Sequence, residues 1–242
     1  MTLENRHVLI TGAARGLGAV VARHLSEQGA RLTLADIAED EGREVAKTLS
    51  ATFHPVDLRD PDSIQTLATS LDGPLHGLLN NGAIATGIGG VPFEDVEIDT
   101  WDRVMEVNVR GTWLMTRAMA PALRASGSGR IVNVASDTAL WGAPNLMSYV
   151  ASKGAVISMT RALARELGPD GIGVTAIAPG ILTTESTEYV PQARHDQYER
   201  GRAVPGPQPP EDVAGTVAFL LSEAALTLTG QVLPVNRGFV FT

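Results

Sequence analysis

The chain has 242 residues, 44% hydrophobic and 19% charged, with a formal net charge of -8 and a pI near 5.1. That balance suits one α/β domain with a sizeable core, and its acidity argues against nucleic acid or an anionic membrane surface as a partner. With no cysteine and five scattered histidines (His7, His24, His54, His76, His195), disulfides and thiol chemistry are excluded and no metal site is expected.

Residues 8–11 (Val-Leu-Ile-Thr) form a short apolar run. Gly12-Ala-Ala-Arg15-Gly16-Leu17-Gly18 follows, then a helical pattern over 19–25. Strand, glycine turn and helix together place backbone N–H groups and a helix N-terminus where a pyrophosphate binds. A second strand, 31–35, ends at Asp36, an acid placed to accept hydrogen bonds from adenosine ribose hydroxyls. Helical pattern covers 39–49, a third strand 52–56 ends at Asp57, and a third helix covers 61–71 with Pro61 in its first turn.

A fourth strand, 75–79, closes on Asn80-Asn81-Gly82-Ala83, and the glycine-rich stretch 85–91 reads as loop. Apolar residues recur with helical period over 99–123, with Pro121 expected near the helix end and Asn108 in mid-helix. The run 130–135 reads as a buried strand that delivers Ser136 to its carboxyl end, where open α/β sheets bind ligands. After a loop over 137–147, a helix through 167 carries Tyr149 and Lys153 on one face. An ammonium beside a phenol stabilises the phenolate, so a lowered Tyr149 pKa is expected, suited to general acid–base work. By itself that pair is more often a solvated helix face.

A sixth strand over 171–178 ends at Pro179-Gly180. Residues 183–210 are polar with only a patchy helical pattern, the mark of a variable substrate-binding lid. A helix over 210–221 and a closing strand over 230–235 complete the chain. The alternation of β and α predicts one domain over 1–242, a Rossmann-type, doubly wound parallel sheet of about seven strands with helices on both faces. No stretch approaches a membrane span and the amino terminus lacks a signal-peptide core, so a soluble cytoplasmic protein is expected.

Taken together, the glycine turn from Thr11, Asn80-Asn81, Asn108, Ser136 thirteen residues before Tyr149, Lys153, and Pro179-Gly180 with Thr184 resemble the short-chain dehydrogenase/reductase family. The resemblance covers residues 6 to 240. It implies that Tyr149 exchanges a proton with the substrate oxygen, that Ser136 hydrogen-bonds that oxygen, and that Lys153 lowers the phenol's pKa and binds the nicotinamide ribose. It implies that Asn108 holds a relay water. Gly12, Gly16 and Gly18, with Arg15 and Leu17, would form the diphosphate turn. Asp57 and Leu58 would flank the adenine, Asn81 would support the adenosine ribose, and Leu182 and Thr184, after Pro179-Gly180, would hold the carboxamide.

The implied function is an NAD-dependent dehydrogenase interconverting a secondary alcohol and a ketone. An NADPH-dependent carbonyl reductase of 3-oxoacyl type is the alternative, and a non-catalytic nucleotide-binding scaffold a third. Asp36 favours NAD, with NADP less favoured, whereas Arg15 pulls toward a 2′-phosphate. The substrate pocket is expected to draw on Ser136, Tyr149, Trp141 and Tyr189, with Leu146, Met147 and Leu182 as apolar walls for a ring-bearing or hydrophobic alcohol. In the family, the helices at 99–123 and 148–167 pair with twofold mates, which implies a homodimer or homotetramer. Two departures stand out: Gly82-Ala83 replaces the family's Ala-Gly, and Asn236-Arg237-Gly238 replaces Asp-Gly-Gly.

Overall fold

The computed structural model describes residues 3–242. Seven parallel strands form one sheet in the order β3-β2-β1-β4-β5-β6-β7. They are β1 (His7–Thr11), β2 (Arg31–Asp36), β3 (Thr52–Pro55), β4 (Gly77–Asn80), β5 (Arg130–Val134), β6 (Gly173–Pro179) and β7 (Val232–Val235). β1, β4, β5 and β6 are buried along their whole lengths, which explains why they read as unbroken apolar runs rather than as alternating patterns.

Successive side chains leave opposite faces of the sheet. Val8 and Ile10 enter the core beneath α1 (Gly16–Glu27) and α9 (Glu211–Leu220), while Leu9 between them enters the core beneath α3 (Pro61–Ser70), α5 (Thr112–Ala125) and α7 (Met147–Leu167). Leu79 and Val132 repeat the first choice, and Leu78 and Ile131 the second. The in-register pairs Leu9↔Leu78 and Leu78↔Ile131 keep these rows aligned across the sheet. α2 (Glu39–Leu49) packs beside β2 and β3. Strand order reverses between β1 and β4, so a crevice opens there at the carboxyl ends.

Three expectations are corrected. The helix expected over 99–123 is two helices, α4 (Ile98–Met105) and α5, joined by a π-helical turn, Glu106–Gly111, that contains Asn108. Pro121 lies inside α5 rather than at its end, because Met119, Ala120 and Leu123 bury on both sides of it and carry the helix to Ala125. The loop expected over 137–147 holds a single helical turn, α6 (Thr138–Trp141). Within 183–210 the chain forms a 3-10 turn, Glu185–Thr187, and the helix α8 (Gln192–Gly201). Among the described residues no helix is long and apolar enough to cross a membrane, and no cluster of side chains suits a metal ion.

At the amino end of the sheet, His7 is buried with its Nε2 2.8 Å from Thr33 Oγ1 and its Nδ1 2.8 Å from Arg31 Nη2. Burial, and then the Arg31 charge, hold its pKa down at about 4. The unfolded chain therefore takes up a proton at this residue near pH 6.5 and the folded chain only near pH 4. The stability this represents is complete above pH 6.5 and is lost as pH falls to 4, by about 3 kcal/mol at most. Urea unfolding at pH 7 and pH 4.5 should show the wild type losing more stability than His7→Gln, and equal losses would remove the assignment.

Candidate active site

β1 delivers Gly12 and Gly16 with positive φ (64° and 54°), a conformation open to glycine at little strain. A Cβ on Gly18 would fall on the carbonyl oxygen of Gly12, so the third glycine lets α1 approach the turn. α1 begins with no side-chain cap and no acidic residue in its first turn, which leaves its N–H groups and positive dipole end for an anion. Arg15 is exposed at this start. Gly12, Arg15, Gly16 and Leu17 line a cleft of about 1370 Å3, large enough for a dinucleotide together with a substrate.

Asp36, at the end of β2, accepts backbone N–H bonds at both carboxylate oxygens, from Ala14 and Ala38, each at 2.9 Å. The first ties the carboxylate to the glycine turn, so Asp36 faces the cleft in one fixed orientation. Asp57 also lines the cleft but is paired with Arg59 at 2.6 Å, which holds its carboxyl below the usual range. Leu58 fills the space over two glycines: a Cβ on Gly82 would stand 2.9 Å from its Cδ1, and one on Gly111 2.8 Å from its Cβ.

Gly82, where the family has alanine, lies against the glycine turn. A Cβ on Gly12 would stand 2.7 Å from the Cα of Gly82, so the two backbones are in close contact. The amides of Asn81 and Gly82 both donate to Thr11 Oγ1 at 3.0 Å. The Asn81 side chain donates to the carbonyls of Thr11 (3.0 Å) and Gly12 (2.8 Å), so its amide braces the glycine turn while the residue also lines the cleft. Ala83, where the family has glycine, is exposed in the cleft wall.

Ser136 lies just beyond β5, and its Oγ accepts from the Thr138 hydroxyl (2.9 Å) and amide (3.3 Å). Those bonds occupy it as an acceptor and leave its own proton to donate. The Tyr149 phenol lines the same cleft, close enough for Ser136 to favour its charged form. Lys153 is buried one helical turn later, with Nζ 2.8 Å from the Val134 carbonyl and 5.5 Å from the centre of the Tyr149 ring. The shared face expected from spacing is present, but the expected direction of the phenol's pKa is overturned. Burial raises Tyr149 to about 12, with Ser136 opposing and the charge of Asp137 adding to the rise. Burial also lowers Lys153 to about 8, and its ammonium is turned toward a strand carbonyl.

Asn108 is buried in the π turn. Its Oδ1 accepts from the Ile84 amide (2.8 Å), and its Nδ2 donates to the Ile84 carbonyl (3.1 Å) and Ser152 Oγ (3.1 Å). The side chain thus braces the loop after β4 against α7 instead of presenting itself to the cleft. Pro179, Gly180, Leu182 and Thr184 all line the cleft, and Thr184 caps the 3-10 turn that follows.

On the substrate side two expectations change. Trp141 and Met147 do not line the cleft; the Trp141 ring packs edge-on against Tyr198 and Phe239, and Met147 is exposed. Tyr189 lines the cleft but is 82% exposed, whereas Tyr198, passed over in the sequence, is 2% exposed. Asp137 was passed over as well. It is fully buried beside Ser136, and burial pushes its carboxyl up to about 6. Its place directly after a strand-end serine was the one available signal.

A glycine turn opening on an uncapped helix, and a serine, tyrosine and lysine converging on the same cleft, fit a nicotinamide dinucleotide and an alcohol or ketone. A family model described as "Enoyl-(Acyl carrier protein) reductase" matches residues 12–240. The chain belongs to the short-chain dehydrogenase/reductase family.

Members of this family are oxidoreductases that bind NAD(P). The chain is 35% identical to a 3-alpha-(or 20-beta)-hydroxysteroid dehydrogenase of Mycobacterium bovis, over 98% of this chain and 90% of the relative. It is 33% identical to a cyclopentanol dehydrogenase of Comamonas sp., over 98% of each. Two solved structures at 33% identity superimpose closely. One is a 3-ketoacyl-(acyl-carrier-protein) reductase from Brucella melitensis with NADH (TM-score 0.91; 99% of this chain, 100% of that one). The other is a Beutenbergia cavernae chain with NADP at low occupancy (TM-score 0.90; 98% of each). The family's Asp-Gly-Gly position also has a distinct local structure here. Arg237 takes φ 55° and pairs with Asp212 at 2.6 Å, while the buried Asn236 bonds Asp137.

Proposed function

We propose that the chain is an NAD-dependent dehydrogenase that interconverts a secondary alcohol and a ketone, with Tyr149 as general acid/base. The observation that carries this reading is the convergence of Ser136, Tyr149 and the buried Lys153 on the one cleft that the glycine turn and Asp36 also line. A bound nicotinamide supplies the chemistry of hydride exchange with the carbinol carbon. Ser136 donates a hydrogen bond to the substrate oxygen and stabilises the charge that develops there. Tyr149 gives its phenolic proton to that oxygen on ketone reduction and takes the hydroxyl proton back on alcohol oxidation. With its pKa raised to about 12, the phenol is protonated at neutral pH and ready for the first direction. The Asn108 side-chain amide is committed to Ile84 and Ser152, and its main-chain carbonyl accepts from the Thr112 hydroxyl at 2.9 Å, so a relay water at Asn108 would share acceptors already in use.

The second reading, an NADPH-dependent 3-oxoacyl-type reductase, is favoured by one observation, the exposed Arg15 on the cleft beside the glycine turn. Asp36 opposes it, since a 2′-phosphate would meet the oriented carboxylate. For the substrate, Leu146, Leu182 and Val190 offer an apolar wall, which supports a ring-bearing or otherwise hydrophobic alcohol. Outside the cleft, Ile98 on α4 and Trp113 on α5 are exposed, which supports self-association through these helices into a homodimer or homotetramer.

Five outcomes are expected. Against a panel of secondary alcohols and ketones, ring-bearing substrates should lead, and Tyr149→Phe should lower kcat by about 10²–10⁴-fold without weakening cofactor binding. Near-normal turnover in that variant, or a preference for small charged polyols, would remove the corresponding assignment. The wild type should prefer NAD over NADP in kcat/KM by at least about tenfold, roughly 1.4 kcal/mol. Asp36→Ala should narrow or reverse that ratio, and an unchanged ratio would show that Asp36 is not the selector. Light scattering at micromolar concentration should give a dimer or tetramer mass, and a monomer mass would refute self-association.

A further inference from the structure

Asp137 transfers no proton in the chemistry above, although its charge adds to the rise of the Tyr149 pKa, and its carboxylate is buried at the end of β5. Its Oδ1 accepts from the Tyr198 hydroxyl at 2.6 Å, and its Oδ2 accepts from Asn236 Nδ2 at 3.2 Å. Its own amide donates to the Pro179 carbonyl at 3.0 Å, which holds the backbone beside Ser136 against the end of β6. Tyr198 stands on α8 and is the one buried residue of that helix. Its hydroxyl also accepts from Trp141 Nε1 at 3.2 Å, and its ring stacks on Phe239 at 4.1 Å. One turn later, Arg202 donates to the Ile181 carbonyl at 2.7 Å and the Gly206 carbonyl at 2.8 Å.

The rest of α8 is polar, so little other apolar burial holds it. Ala193, Arg194 and Gln197 on the same helix line the outer part of the cleft. Toward solvent the helix is tied by Arg194, which donates to the Pro144 carbonyl at 3.1 Å, and by His195, 3.2 Å from the Thr187 carbonyl, but its one buried attachment is Tyr198 to the residue next to Ser136. A contact that needed only packing would be met by the stacked ring alone. A carboxylate taken out of water is costly unless donors satisfy it, and losing one donor leaves an uncompensated buried charge. That makes the attachment short and directional.

We propose that Asp137 and Tyr198 form a buried latch that holds α8 closed over the alcohol-binding part of the cleft, both acting as positioning residues. Asn236, at the family's aspartate position, completes the latch by donating to the second carboxylate oxygen. The role of this latch in turnover rests on the dehydrogenase reading, whereas its effect on α8 does not.

The test uses Tyr198→Phe, which keeps the ring stack and removes the hydroxyl, and hydrogen exchange in the full-length, cofactor-free protein. Amides of residues 192–201 should exchange about tenfold faster or more in the variant, as expected for losing a hydrogen bond to a charged group, while residues 147–167 keep their protection. With the substrate found by the alcohol panel, KM should rise about tenfold and kcat should change less than about threefold. Asp137→Asn, which keeps an oxygen for the Tyr198 hydroxyl, should lie between the wild type and Asp137→Ala in α8 exchange. It also serves if Tyr198→Phe does not fold. Unchanged exchange over 192–201, or a uniform rise across the whole chain, would overturn the latch. If exchange rises locally but no alcohol or ketone is turned over, the latch stands and the dehydrogenase reading fails.

Discussion

Because all seven strands run the same way, every strand's carboxyl end, and every residue placed there, lies along one edge of the sheet. The glycine turn after β1, Asp36 after β2, Asn81 after β4, Ser136 after β5 and Gly180 after β6 meet there without any one of them being near another in sequence. The order reversal between β1 and β4 then opens the space between them, and close backbone approach keeps it narrow. Gly12 and Gly82 touch backbone to backbone, and the Thr11 hydroxyl and Asn81 amide bind the two turns together. A side chain on Gly12 would force the two strand ends apart.

Burial, more than proximity, governs the electrostatics of the site. Tyr149 and Lys153 share a helix face, but each is shifted toward its neutral form because water has been excluded from both. Asp137 follows the same rule in the next position. Three ionisable groups in a dry region fix which protons are present at neutral pH: the phenol is protonated, and the lysine lies much nearer its titration point than it would in water. The same exclusion of water strengthens each hydrogen bond that remains, so the bonds from Thr138 to Ser136 and from Tyr198 to Asp137 orient their acceptors firmly.

The two departures from the family pattern are accommodated differently. At Gly82 the substitution removes a side chain from a crowded contact, and Leu58 covers the vacated side. At Asn236 and Arg237 the change adds function to the framework: the asparagine satisfies Asp137, and the arginine takes a left-handed conformation and is held by Asp212 and the Pro205 carbonyl. A chain whose tail packs on α8 through Phe239 thereby joins its last strand to the wall of its own cleft.

The sequence by itself determined the strand–turn–helix order, the parallel sheet, the glycine turn and the Ser136, Tyr149 and Lys153 set. These are local periodicities and short spacings, and local sterics and helix geometry decide them. It also showed Asp36 at the end of β2. Only the tertiary structure decided the rest. It broke the helix around Asn108 with a π turn, turned the Asn81 amide onto the glycine turn, and moved Trp141 out of the cleft onto Tyr198. It raised the Tyr149 pKa where spacing predicted a fall, because desolvation depends on everything packed around a group and not on the residue four positions away. It also buried Asp137 against Tyr198, 61 residues distant, a contact that no spacing rule along the chain can reveal.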